Sequence, residues 1–222
     1  LPRHGDKAGK RNPHFLNAEL FRSAFLASCA PHRERIGVLM FEFSHSHPRD
    51  FERGREFVEA LDLFLGQLPQ GWQYGVEVRN RTLLCEPYFA VLRKHSVAHV
   101  LNNWTHMPSV GEQMQMPGVF THDEFTAARF LLKPGRTYEQ AVQMFSPYDI
   151  TKEVCAEARQ AAAELVRQRR EAARQRHTKP TFIYVNNRLG GSALLSIIAL
   201  LESLGLELLP KSTDLSKGSS LA

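Results

Sequence analysis

The chain is short of the features that name a chemistry outright. Only Cys29, Cys85 and Cys155 occur among its 222 residues. They are far apart, odd in number and form no CxxC pair, which argues against a disulfide framework and for a reducing, cytoplasmic setting. All three fall in helix-like segments and read as small buried hydrophobes. No apolar run approaches the roughly 20 residues of a membrane span. The longest, Ala193 to Leu206, is broken by Ser196, Glu202 and Ser203 and reads as a core-packed helix. There is no Gly-x-Gly-x-x-Gly, no Walker loop and no internal repeat. Residues Leu1 to Lys7 include no Met and no apolar signal-peptide core, so a fragment, or a natural start upstream, is expected.

Hydrophobic residues make up 43% and charged residues 23%, an ordinary balance for one globular domain. The expected domain spans 1–210, with 211–222 a disordered tail rich in Ser, Lys and Gly. The net charge of +5 is localised: residues 151–180 carry eight Lys/Arg against four Asp/Glu, so +4 of it belongs to one segment.

Apolar, β-branched runs alternate with helical patterns. Asn17 is placed to cap a helix with Leu20, Phe21, Ala24 and Phe25 on one face. Strands are expected at 36–43, 73–80, 96–102, 126–132 and 180–187. Helices are expected at 51–68, 83–94, 151–175 and 192–204, with a short helical insert at 138–149. Residues 104–125 read as a loop broken by Pro108, Gly111, Pro117 and Gly118, long enough to be a lid or wall over a site. The alternation predicts an α/β fold with a parallel sheet, whose functional groups gather at strand C-termini.

Two strands end in polar residues, Gly75-Val-Glu-Val-Arg-Asn80 and Thr181-Phe-Ile-Tyr-Val-Asn-Asn187. Period-2 alternation puts Val38, Met40 and Glu42 on one face of the first strand. It likewise groups Glu77 with Arg79, Arg129 with Ala127 and Leu131, and Tyr184 with Asn186. If these faces point inward, two carboxylates and two guanidiniums share one enclosure, with Asn102, Asn103 and Trp104 beside them. Such charges must pair or await a ligand. The structural alternative is a self-satisfied network, Glu77 with Arg129 or Glu42 with Arg79.

The segments Gly37-Val-Leu-Met-Phe-Glu-Phe43, Val76-Glu-Val-Arg-Asn80, Ala128-Arg-Phe-Leu131 and Phe182-Ile-Tyr-Val-Asn-Asn-Arg-Leu-Gly-Gly-Ser-Ala193 resemble the YecE-like family, also called domain of unknown function seventy-two. The resemblance covers roughly 12–204. It implies a TIM-barrel-like (β/α) fold and no established reaction. Two departures stand out. Glu42-Phe-Ser-His45 replaces the family's Gln-Phe-Pro-Pro, and Asn80 replaces a His. The family also begins with about three further strands, so an incomplete barrel of about five strands, or a fragment of a longer protein, is expected.

The functional expectation is an enzyme acting on a small anionic or polyhydroxylated molecule. Glu42 or Glu77 would be the acid/base. Arg79 and Arg129 would anchor charge. Asn80, Asn103, Trp104, Tyr184, Asn186 and Asn187 would line the substrate site. The alternative is a non-enzymatic module binding nucleic acid or protein through the basic helix 151–179. His45-x-His47 offers two metal ligands, with His106, His122 and Asp123 on the long loop as distant completions, but no third ligand stands at a fixed spacing, so no metal is assigned. The sequence specifies no cofactor. Gly190-Gly191 reads as a turn with Ser192 the N-cap of the last helix.

Overall fold

A computed structural model describes residues 12–44, 54–174 and 180–206. His45 and His47 lie outside the described residues, as does the expected tail at 211–222. Among the described residues five parallel strands form one sheet in the order β1 (Leu39–Phe43), β2 (Tyr74–Val78), β3 (Ala98–Asn103), β4 (Thr126–Phe130) and β5 (Thr181–Val185). Sequential neighbours pair throughout, so each connection crosses over and returns beside its own strand. This is an α/β fold of the TIM-barrel type in which the sheet stays open. Among the described residues β1 pairs only with β2, and β5 only with β4.

The sheet curls strongly. A side chain on Gly37, just before β1, would lie 2.7 Å from the Phe182 ring of β5. Val38, Ala98 and Phe125 form a small inner cluster with Met40 and Phe182 against it. The opposite face carries the main core, in which Tyr74, Val76, Val78, Leu101, Ala128 and Phe130 meet the helices.

Those helices follow local rules. In α1 (Ala18–Leu20) the Asn17 side chain accepts from the Leu20 N–H at 2.8 Å, the expected cap. The helix widens into a π-type stretch (Phe21–Leu26), continues as α2 (Ala27–Cys29) and tightens to a 3-10 stretch (Ala30–Arg35) at Pro31. α3 (Gly54–Gly66) buries Phe57, Val58, Leu61, Phe64 and Leu65, a stripe at helical spacing. α4 (Glu86–Lys94) carries Pro87 in its first turn, where a missing N–H costs nothing, and buries Tyr88, Phe89 and Leu92.

The long connection after β3 is not all loop. It contains α5 (Val110–Met114), closed by a Ser109–Glu112 capping box. α6 (Tyr138–Phe145) has the same device in Thr137 and Gln140. α7 (Ala156–Arg174) begins five residues later than expected from 151. The cause is tertiary: the Lys152 and Glu153 N–H groups both donate to the Gly190 carbonyl, at 2.8 and 3.1 Å. A Cβ on Gly190 would stand 2.2 Å from the Glu153 carbonyl oxygen, so only glycine permits this approach. α8 (Ala193–Ser203) follows, capped by Ser192 as expected. The three cysteines are half-buried rather than buried.

His99 sits on the helix side of β3, 3% exposed, its Nδ1 3.1 Å from the Tyr88 hydroxyl. Burial lowers its pKa to about 4, against an opposing hydrogen-bond contribution from Gln113.

Candidate functional site

The inner face of the sheet changes character along the strands. At the N-terminal end it is apolar and tight: a Cβ on Gly75 would lie 2.7 Å from Val100 and 3.2 Å from Val38. Toward the C-terminal end the same face presents Glu42, Glu77, Asn102 and Arg129. Glu42 and Glu77 stand in register on β1 and β2, and Asn102 and Arg129 on β3 and β4. Arg79 follows Glu77 by two residues and so returns to this face.

The four charged side chains close a ring. Glu77 accepts from Arg79 Nε through Oε1, at 2.9 Å, and from Arg129 Nη1 through Oε2. Glu42 accepts from that same Arg129 Nη1 through Oε2, at 2.9 Å, and the same oxygen lies 2.6 Å from Arg79 Nη2. Each carboxylate thus touches both guanidiniums, and both pairings of the structural alternative occur together. Four charges at a sheet interior are tolerable because each is paired.

Exposure is graded around the ring. The side chains of Glu77, Arg79, Arg129 and Glu42 are 0, 11, 23 and 36% exposed. Desolvation works to lower the Arg129 pKa, but Glu77 and Glu42 outweigh it and hold the guanidinium above its ordinary value. Tyr184 stands beside Arg129 in register. Burial raises its phenol, against the pull of the guanidinium.

Trp104 joins the site through Arg79, whose guanidinium carbon lies 3.7 Å from the indole centroid. The indole is held in turn by the cluster of Leu132, Ala141 and Phe145. Asn102, which the sequence placed beside the enclosure but not among the substrate-lining residues, is the β3 residue that faces the ring. It is fully buried, its amide donates to the Val78 carbonyl at 3.1 Å, and its Oδ1 has no partner among the described residues. Carrying the alternation of β1 and β2 into β3 would have picked Asn102 rather than Asn103.

The remaining expected residues do not meet the ring. Asn103 turns to the helix side, where Oδ1 accepts from the Val110 N–H at 2.7 Å. Asn80 accepts from Thr82 and shapes the turn after β2. Asn187 accepts from the Ala193 N–H at 2.7 Å and ties the turn to the start of α8. Asn186 accepts from the Arg188 backbone N–H and, at 3.3 Å, from its Nη1. Asn186, Asn187, Arg188 and Tyr148 line a cleft of about 220 Å³ at the end of β5. Arg188 also lies over the Tyr138 ring and donates to its hydroxyl at 2.8 Å, a link no local pattern signals.

Among the described residues no group of three or more His, Cys, Asp or Glu is placed to hold a metal ion. No helix among them is long and apolar enough to cross a membrane. On α7, Arg167 and Arg170 are exposed, but Arg169 is half-buried over Phe120 and is not part of that surface.

Comparison with known proteins fits this architecture. Residues 9–217 match the model of a family described as "Protein of unknown function DUF72". The crystal structure of a DUF72 family protein from Thermotoga maritima is similar in fold, with a TM-score of 0.55 and 19% sequence identity over 87% of this chain and 71% of that one. No curated protein matches the chain.

Proposed function

The chain belongs to the DUF72 family, whose function is unknown, and from the charged ring at its strand ends we propose that it is an enzyme acting on a small anionic or polyhydroxylated molecule. The observation that carries this reading is the ring itself. It stands at the C-terminal ends of parallel strands, where this kind of sheet places its chemistry. Its members divide by role. Glu77, fully buried with both oxygens engaged, positions the two arginines. Arg79 and Arg129 supply the forked cationic donors that bind carboxylate or phosphate. Glu42 is the more exposed carboxylate, and both of its ring contacts run through one oxygen. That leaves it the member able to take a proton from a ligand or give one up. Tyr184 and the cleft beside Asn186 offer hydroxyl and amide contacts for the rest of the ligand.

The test is a thermal-shift screen against small carboxylates, sugar phosphates and sugar acids, in the parent protein and in Arg129→Ala. A compound that raises the midpoint of the parent but not of the variant supports the site. Its conversion to product by the parent, and not by Glu42→Gln, supports the enzyme. Binding that survives Arg129→Ala overturns the reading.

A further inference from the structure

Glu42 and Glu77 contact the same two guanidiniums in different ways. Glu77 spends one oxygen on each arginine and has no exposed surface. Glu42 reaches both arginines through Oε2 alone and is 36% exposed. The buried carboxylate fixes the two forks from within the sheet, and the exposed one bridges them from the solvent side. The two forks are loaded differently: Arg129 enters both of its ring contacts through Nη1, while Arg79 uses Nε for Glu77 and Nη2 for Glu42. On the same face the fully buried Asn102 holds an Oδ1 with no donor among the described residues.

A single bridging oxygen is a poor match for two guanidinium forks. A carboxylate or phosphate with several oxygens matches them better. The charge balance points the same way. Arg79, Arg129 and Glu77 together carry +1, and Glu42 brings the sum to zero, so an anion taking the place of Glu42 preserves neutrality at low desolvation cost. A neighbouring hydroxyl on that anion would supply the donor Asn102 lacks.

Resting on the site proposed above, we propose that Glu42 is a tethered anion standing in the place of the ligand's carboxylate or phosphate group, and that ligand binding displaces it from Arg79 and Arg129. The chain competes with its own ligand. Glu42 acts as acid or base only after this exchange, so the ligand itself brings the carboxylate into use. A neutral polyhydroxylated compound, which cannot replace the lost charge, binds less well than an anion of the same size.

The experiment is calorimetric titration of inorganic phosphate and of succinate into the parent, Glu42→Gln, Glu42→Ala and Glu42→Gln/Arg129→Ala proteins at low ionic strength. Both Glu42 variants are expected to bind at least one anion about tenfold more tightly than the parent. The gain disappears in the double variant. Succinate binding without phosphate binding identifies a carboxylate site, and the reverse a phosphate site. Equal affinities in the parent and both Glu42 variants, with binding lost in Glu42→Gln/Arg129→Ala, overturn the tethered anion and leave the ligand site standing. No binding of either anion to any of the proteins overturns the tethered anion. The ligand site itself then falls only if the wider screen also finds nothing that depends on Arg129.

Discussion

The Arg79 guanidinium lies over Trp104, its central carbon 3.7 Å from the indole centroid. The contact explains how an arginine on a turn keeps one orientation. Its edge is bound by two carboxylates and its face by an aromatic ring that the core holds still. Replacing Trp104 with Leu removes the cation–π attraction while keeping an apolar side chain. A loss of about 1–2 kcal/mol is expected by denaturant titration, together with weaker binding of any anion that needs Arg79. Unchanged anion affinity would show that Trp104 serves the core alone.

Removing the buried carboxylate is expected to be more severe. Glu77→Ala leaves two guanidiniums sharing a single acid at the sheet interior, and breaking such a pair costs about 3–5 kcal/mol. The double variant Glu77→Met/Arg129→Met loses less than the sum of the single losses, because the charge left behind is also gone. Urea unfolding of the parent, Glu77→Met, Arg129→Met and the double variant gives the coupling directly. Simple additivity would mean that the ring contributes nothing as a unit.

His99 makes stability depend on pH. Its folded pKa of about 4 lies below the ordinary value of 6.5 because burial opposes the charge. The unfolded chain therefore binds the extra proton first as pH falls. The contribution is intact above about pH 6.5 and declines below it. The full loss of about 3 kcal/mol is reached near pH 4. In His99→Gln this part of the acid limb flattens. Melting midpoints between pH 4 and 7 check it, and parallel curves for the two proteins would remove His99 as the cause.

The arginines of α7 divide by packing. Arg169 lies over Phe120, and desolvation lowers its pKa against the opposing field of Asp123. Arg169→Ala is expected to cost about 1–2 kcal/mol, and the exposed Arg170→Ala less than about 0.5 kcal/mol. If the helix served a polyanion, the order would reverse in a binding measurement: Arg170→Ala would weaken retention on heparin and reduce its salt dependence, and Arg169→Ala would not.

Much of this architecture was legible from alternation and punctuation. Each expected strand is present with shifted ends: β1 starts three residues late, β3 starts two residues late and runs one residue further, and β2, β4 and β5 each end two residues early. The ring was legible because Glu42, Glu77, Arg79 and Arg129 obey the period of two. What escaped was set by contacts distant in sequence. The start of α7 waits on a carbonyl some forty residues away, at Gly190. α5 is a five-residue helix, too short for a periodic signal, although Ser109 and Glu112 carried its cap. Asparagines at strand ends look alike in sequence. One residue of register separates Asn102, on the face of the ring, from Asn103, on the face of the helices.

The alternation of charge around the ring has a consequence for how this sequence can drift. A carboxylate lost at one position strands two cations, and a guanidinium lost strands two acids. Single substitutions therefore lead through a poorly folded intermediate, whereas removing an adjacent acid and base together leaves one matched pair. Suppressors of Glu77 loss, selected for restored folding, should fall at Arg79 or Arg129 rather than at random across the core, and the two strands β2 and β4 should exchange substitutions as partners although 52 residues separate Glu77 from Arg129 along the chain.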